Sequence, residues 1–171
     1  MADLNTMYRV IILYMLSRLE FPLTNTQITN FILEKEYTDY FTVQQAISDL
    51  LSSGLITAES THNNTRYRIT EEGHETLQFF PDKISDEIKE DIRIHFKEHH
   101  YELKQETAVY ADYYKAAGGG YQVHCHIRNL DSPVLDLSLR VQTKEQARVV
   151  CANWEKENIE VYALLMDMLV K

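Results

Sequence analysis

The chain has 171 residues, 44 % of them hydrophobic and 25 % charged, with 17 Lys and Arg against 26 Asp and Glu for a formal net charge of −9. These are the proportions of a folded globular protein of one domain or two small ones, and they exclude a disordered or low-complexity chain. The acidic balance also excludes nucleic-acid affinity through bulk positive charge, so any cations that serve such binding must be concentrated on one face or doubled by dimerisation.

The apolar run Val10 to Leu16 predicts a first helix. It is far shorter than the ~20 residues that span a bilayer. No basic segment precedes it and no small-residue cleavage site follows it, so no membrane segment or secretory signal is expected and the protein reads as cytoplasmic. Thr24-x-x-Gln27 and Thr42-x-x-Gln45 each fit a capping box and predict two further helix starts. After Thr42 the apolar residues Val43, Ala46, Ile47, Leu50 and Leu51 recur at helical spacing, leaving Gln44, Gln45, Ser48 and Ser52 outward, and Gly54 provides the stop. Leu55 to Glu59 reads as a strand, Thr61 to Thr65 as a polar tip, and Arg66 to Ile69 as the returning strand, with Tyr67 and Ile69 on one face and Arg66 and Arg68 on the other.

Closed by Ile69-Thr70-Glu71-Glu72-Gly73, residues 4–80 resemble a winged helix-turn-helix domain of the MarR-like and PadR-like bacterial regulators. The whole chain is also similar to an uncharacterised bacterial family that pairs a winged helix with a C-terminal domain of unknown function. The resemblance implies that the second helix of the pair enters the major groove of double-stranded DNA while the wing follows phosphates. Candidate contacts are then Thr42, Gln44, Gln45 and Ser48 on the helix and His62, Asn63, Asn64, Arg66 and Arg68 on the wing, with glutamine suited to adenine edges. Residues 1–80 nevertheless carry five Arg or Lys against ten Asp or Glu, and the predicted recognition helix has no cation. An acidic winged helix that docks a protein is the alternative.

Phe79-Phe80-Pro81-Asp82 marks a boundary, giving a first domain over 1–80, a connecting helix over 81–101 with Ile84, Ile88, Ile92 and Phe96 on one stripe, and a second domain over 102–171. His95 and His99, spaced i, i+4 with His100 beside them, lack the His-Glu-x-x-His pattern and read as a polar helix end, so no metal is assigned. From Leu103 the period changes to two. Leu103, Thr107, Val109, Ala111 and Tyr113, then Tyr121, Val123, Cys125 and Ile127, then Leu135, Leu137, Leu139 and Val141 predict three antiparallel strands with one apolar face, joined by the Gly118-Gly119-Gly120 tip and the Asp131-Ser132-Pro133 corner. The other face carries Glu102, Lys104, Glu106, Tyr110, Asp112, Tyr114, Gln122, His124, His126, Arg128, Asp136, Ser138 and Arg140, a surface for water, a small molecule or a protein partner.

Thr143-x-x-Gln146 predicts a last helix with Ala147, Val150, Cys151 and Trp154 on the sheet, a break at Glu155-Lys156-Glu157-Asn158, and a final apolar segment over 159–170. The apolar excess of the first and last helices predicts a homodimer through both. Cys125 and Cys151 read as buried thiols, and no nucleophile, acid-base pair, phosphate loop or cofactor motif is present, so a non-catalytic protein is expected. The fold expected is α+β, an N-terminal winged helix-turn-helix followed by a three-stranded antiparallel sheet covered by helices.

Overall fold

The computed structural model describes residues 2–60, 64–130 and 132–170. It is an α+β protein with six helices and two three-stranded antiparallel sheets among the described residues, and the chain passes from one compact unit to a second after Lys104. No described helix is long and apolar enough to cross a membrane.

In the first unit, α1 (Ala2–Ser17) is the central element. Val10, Ile11, Ile12, Leu13, Met15 and Leu16 are all at most 3 % exposed, and each such side chain contributes about 1.5–3 kcal/mol of transfer free energy. These apolar residues of α1 are buried inside the core of its own unit. A two-residue strand, β1 (Leu23–Thr24), leads into α2 (Asn25–Glu34). Thr24 is both strand residue and N-cap: its hydroxyl accepts from Gln27 N at 3.1 Å and Gln27 Oε1 accepts from Thr24 N at 2.9 Å, completing the expected capping box.

The next helix, α3 (Tyr40–Ser52), begins two residues before the expected cap. Asp39 is the N-cap and its carboxylate accepts from Thr42 N at 2.8 Å, so Thr42 occupies the N3 position and the expected Thr42-Gln45 box does not form. The helix ends as Gly54 predicts. Gly54 adopts φ 72°, its N–H reaches Leu51 O at 3.1 Å and that of Leu55 reaches Leu50 O at 3.0 Å, the paired closure that a left-handed residue permits.

Strands β2 (Ile56–Ser60) and β3 (Thr65–Ile69) follow, with β3 central in the order β1-β3-β2. Helix α4 (Glu71–Gln78), capped by Thr70, returns to the core, and Gly73 on it lies so close to β2 that an added Cβ would stand 2.2 Å from Leu55 O. Helix α5 (Asp86–Ala108) runs well past its expected end. Its Ile92, Phe96 and Leu103 are buried in the first core, so the stripe seals that unit. The Tyr37 hydroxyl also holds α5 by donating to Asp91 Oδ2 at 2.5 Å.

In the second unit, β4 (Val109–Lys115), β5 (Tyr121–Asn129) and β6 (Ser132–Val141) form a meander in the order β4-β5-β6. The first strand starts at Val109, since residues up to Ala108 are helical; Leu103 belongs to the other core and the alternating set that opened with it is shortened accordingly. The remaining register follows the two-residue pattern. Tyr121, Val123, Cys125 and Ile127 stand opposite Val141, Leu139, Leu137 and Leu135, so apolar residues meet on one face. A bulge passes over Val134 next to Arg128, where the pairing jumps from Leu135 to Pro133. Helix α6 (Lys144–Leu169), capped by the Thr143-Gln146 box, lays Ala147, Cys151 and Trp154 on that face. It continues unbroken through Glu155 to Asn158, because Asn158 turns its amide back to Trp154 O and Glu155 O at 2.9 and 3.0 Å.

Candidate functional site

Helix α3 presents two unlike faces. Val43, Ala46, Ile47 and Leu50 are at most 4 % exposed, while Phe41, Gln45, Ser48 and Ser52 form an outer ridge at i, i+4, i+7 and i+11. The Thr42 amide bound to the cap holds the Asp39 carboxyl below the usual range and fixes the start of this ridge. Gln45 lies on it with its amide donating to Asp49 Oδ1 at 2.9 Å, and Ser48 is exposed.

Gln44 does not face outward as expected. Its Nε2 donates to Asn25 Oδ1 at 3.1 Å and to Thr29 Oγ1 at 2.9 Å, while its Oε1 accepts from Asn25 Nδ2 at 2.8 Å. Asn25 Nδ2 also reaches the Tyr67 hydroxyl at 3.1 Å. This amide pair ties α2, α3 and β3 together, and its donors and acceptors are committed inside the protein.

The wing cations divide in the same way. Arg66 is 5 % exposed and pairs with Glu59 at 2.9 Å, a correction to its expected outward position. The cause is β1, which lies against β3 with Thr24 opposite Arg66 and so converts the returning strand into a central one. Arg68 is partly buried two residues along, and the two arginines line a shallow depression with Pro22, Thr57 and Glu59. Asn64 is exposed; His62 and Asn63 fall outside the described residues. Of the expected contacts, Gln45 and Ser48 therefore share the outer ridge, Asn64 and Arg68 lie on the hairpin, and Thr42, Gln44 and Arg66 serve the fold.

Two aromatic residues at the start of α3 escaped the sequence reading. Phe41 is 82 % exposed and Tyr40 52 %, with their rings edge to face at 5.7 Å. The signal was Asp39 three residues before Thr42, which outranks a threonine as a cap and brings Tyr40 and Phe41 into the first turn.

The α5 histidines pack instead of clustering. His95 lies 4.7 Å from Phe31 and 4.8 Å from His99 between ring centroids, and burial, followed by the neighbouring His99, pushes its pKa down. His99 Nδ1 is 3.2 Å from Glu102, and His100 packs edge-on against Phe21. Among the described residues no group of three His, Cys, Asp or Glu side chains is placed to hold a metal ion.

On the open face of the second sheet, four rings stand in a ladder. Tyr110 stacks on His126 at 4.7 Å, His126 on His124 at 6.1 Å and His124 on Tyr114 at 5.4 Å. Asp136 holds His126 Nδ1 at 2.6 Å, and Arg128 Nε donates to the Tyr110 hydroxyl at 2.9 Å. These are cross-strand polar pairs that stiffen an exposed sheet face.

Residues 8–169 match the family model described as "Domain of unknown function (DUF4364)". No curated protein and no solved structure matches the chain. With nearly the full length covered, the chain belongs to the DUF4364 family.

Proposed function

We propose that this chain is a cytoplasmic, homodimeric transcriptional regulator whose first unit is a winged helix-turn-helix, with α2 and α3 as the helix pair and β2 and β3 as the wing. One observation carries the reading. The ridge Phe41, Gln45, Ser48 and Ser52 is exposed and uncharged, on a helix whose opposite face is sealed into the core and whose angle to α2 is fixed by the Gln44-Asn25 amide pair. A rigid helix whose outer edge carries the polar residues Gln45, Ser48 and Ser52 is the kind of element that enters a major groove. Gln45 and Ser48 are the base-reading residues, and Arg68 and Asn64 the phosphate contacts.

A second reading, protein docking by the same surface, is favoured by the exposed Tyr40 and Phe41 and by the absence of Lys or Arg from α3. Aromatic anchors of this kind dominate protein interfaces. Fluorescence anisotropy with a duplex from upstream of the gene and a scrambled duplex, each at two salt concentrations, separates the two. Preferential binding of the upstream duplex that weakens about tenfold or more in Gln45→Ala supports the regulator. Lack of binding to either duplex at low salt transfers the function to protein docking. Arg66 is unsuited to this test because it is 5 % exposed, so its loss disturbs the wing itself.

A further inference from the structure

The second unit leaves two apolar surfaces open, and they are complementary. Three strands ~4.8 Å apart present a face about 14 Å wide, whereas one helix is about 10 Å across. The helix cover reaches β4 and β5, where Ala111, Val123 and Cys125 are at most 6 % exposed. No residue of β6 is buried, although Leu135, Leu137, Leu139 and Val141 all point to the helix side; Leu139 is 41 % exposed. Leu135, Leu137 and Val141 are half-buried against the core under α6, so the open part of the strand centres on Leu139.

The same chain carries a helix that lacks a sheet. At 26 residues α6 is ~39 Å long, against roughly 30 Å for the nine residues of β5. Nothing on α6 beyond Asn158 is buried, and Val161 is the last of its residues packed against the sheet core. Around and beyond it Ile159, Leu164, Met166, Met168, Leu169 and Val170 are 42–77 % exposed.

From this juxtaposition we infer that a second copy of the chain supplies the missing cover: the C-terminal half of each α6 packs over β6 of its partner, reciprocally, about a two-fold axis. A half-covered strand takes a second helix and a bare helix end takes a sheet, so two copies satisfy both at once. At about 100° per residue Leu164 and Met168 lie on one flank of the tail and Ile159, Met166 and Val170 on the opposite one, so the Leu164 and Met168 flank meets the partner's β6, and it counts together with the open part of β6 toward the ~800 Å² per partner of a standard stable interface. The inference rests on the homodimer in the proposed function and assigns its surfaces; it does not depend on DNA.

The test is made on the full chain without DNA. Sedimentation equilibrium is expected to give twice the 20.1 kDa chain mass, and Leu164→Glu with Met168→Glu, or Leu139→Glu alone, to raise the dimer dissociation constant at least 100-fold. Circular dichroism should confirm that each variant keeps its helix content, since all three side chains are exposed. Mixing a Leu139→Cys chain with a Leu164→Cys chain should then give the crossed disulfide. Cys125 and Cys151 will not compete, because burial pushes both thiols up to about 11. A monomeric wild type, a dimer indifferent to the tail charges, or crosslinks only between two copies of the Leu164→Cys chain would overturn the arrangement. A dimer that fails to bind any duplex leaves it intact and removes only the regulator.

Discussion

Adjacent glutamines on α3 have opposite roles, and the difference lies in what each amide touches. Gln44 makes a reciprocal amide pair with Asn25 and a further bond to Thr29, so Gln44→Ala leaves part-buried polar groups behind and should cost about 1–3 kcal/mol. Gln45 bonds only Asp49 on the surface, and Gln45→Ala should leave stability within about 0.5 kcal/mol. Thermal unfolding of the two variants checks the contrast, and equal melting temperatures would refute it. His95 gives a pH signature. Its folded pKa lies below the unfolded value, so the unfolded chain binds the extra proton first and stability is lost as pH falls below about 6.5. The charges around it are His99, Glu34, Lys35 and Glu98. In His95→Phe, which keeps a ring against Phe31, the drop in melting temperature from pH 7.5 to 5.5 should shrink; an unchanged drop would place the titration elsewhere.

Element by element, periodicity was informative wherever one face of a strand or helix is buried. The opposition of Val123 to Leu139 and Cys125 to Leu137 is what alternation demands, since a one-residue slip would turn every apolar side chain outward. The start of β4 was illegible for a related reason. Leu103 fits a two-residue period, yet Glu102, Lys104 and Gln105 are strong helix formers, and burial of Leu103 in the first core decides for helix. The two-residue β1 has no periodicity to read, and with it went the burial of Arg66, a consequence of strand order. Gly73 was read as part of an exit signal, whereas its role is close approach. In Gly73→Ala the new methyl meets Leu55 O at 2.2 Å and Ile69 Cγ1 at 2.6 Å, so α4 must move off the sheet. A loss of about 3 kcal/mol is expected from such overpacking, read by urea denaturation; a stability within error of wild type would mean that α4 is free to shift.

At the scale of the whole molecule, a net charge of −9 sets the terms on which the proposed regulator can bind DNA. Each phosphate contact contributes a slope of about −0.9 to log K against log salt, and the first unit brings few cations to its wing, with Arg66 committed to Glu59. One copy alone should therefore bind weakly. Joining two copies turns the second half-site contact into an intramolecular event, which raises affinity by about 10²–10⁴ without new contacts. The Leu164→Glu, Met168→Glu chain carries the same α3 ridge and wing as wild type, so its deficit isolates the contribution of assembly. Measured by anisotropy over a salt series on the upstream duplex, it should bind at least 100-fold more weakly with a salt slope about half that of wild type, because half the phosphates are engaged. An equal slope would mean that a single copy makes every phosphate contact. The symmetry of the second unit would then serve a purpose other than DNA binding.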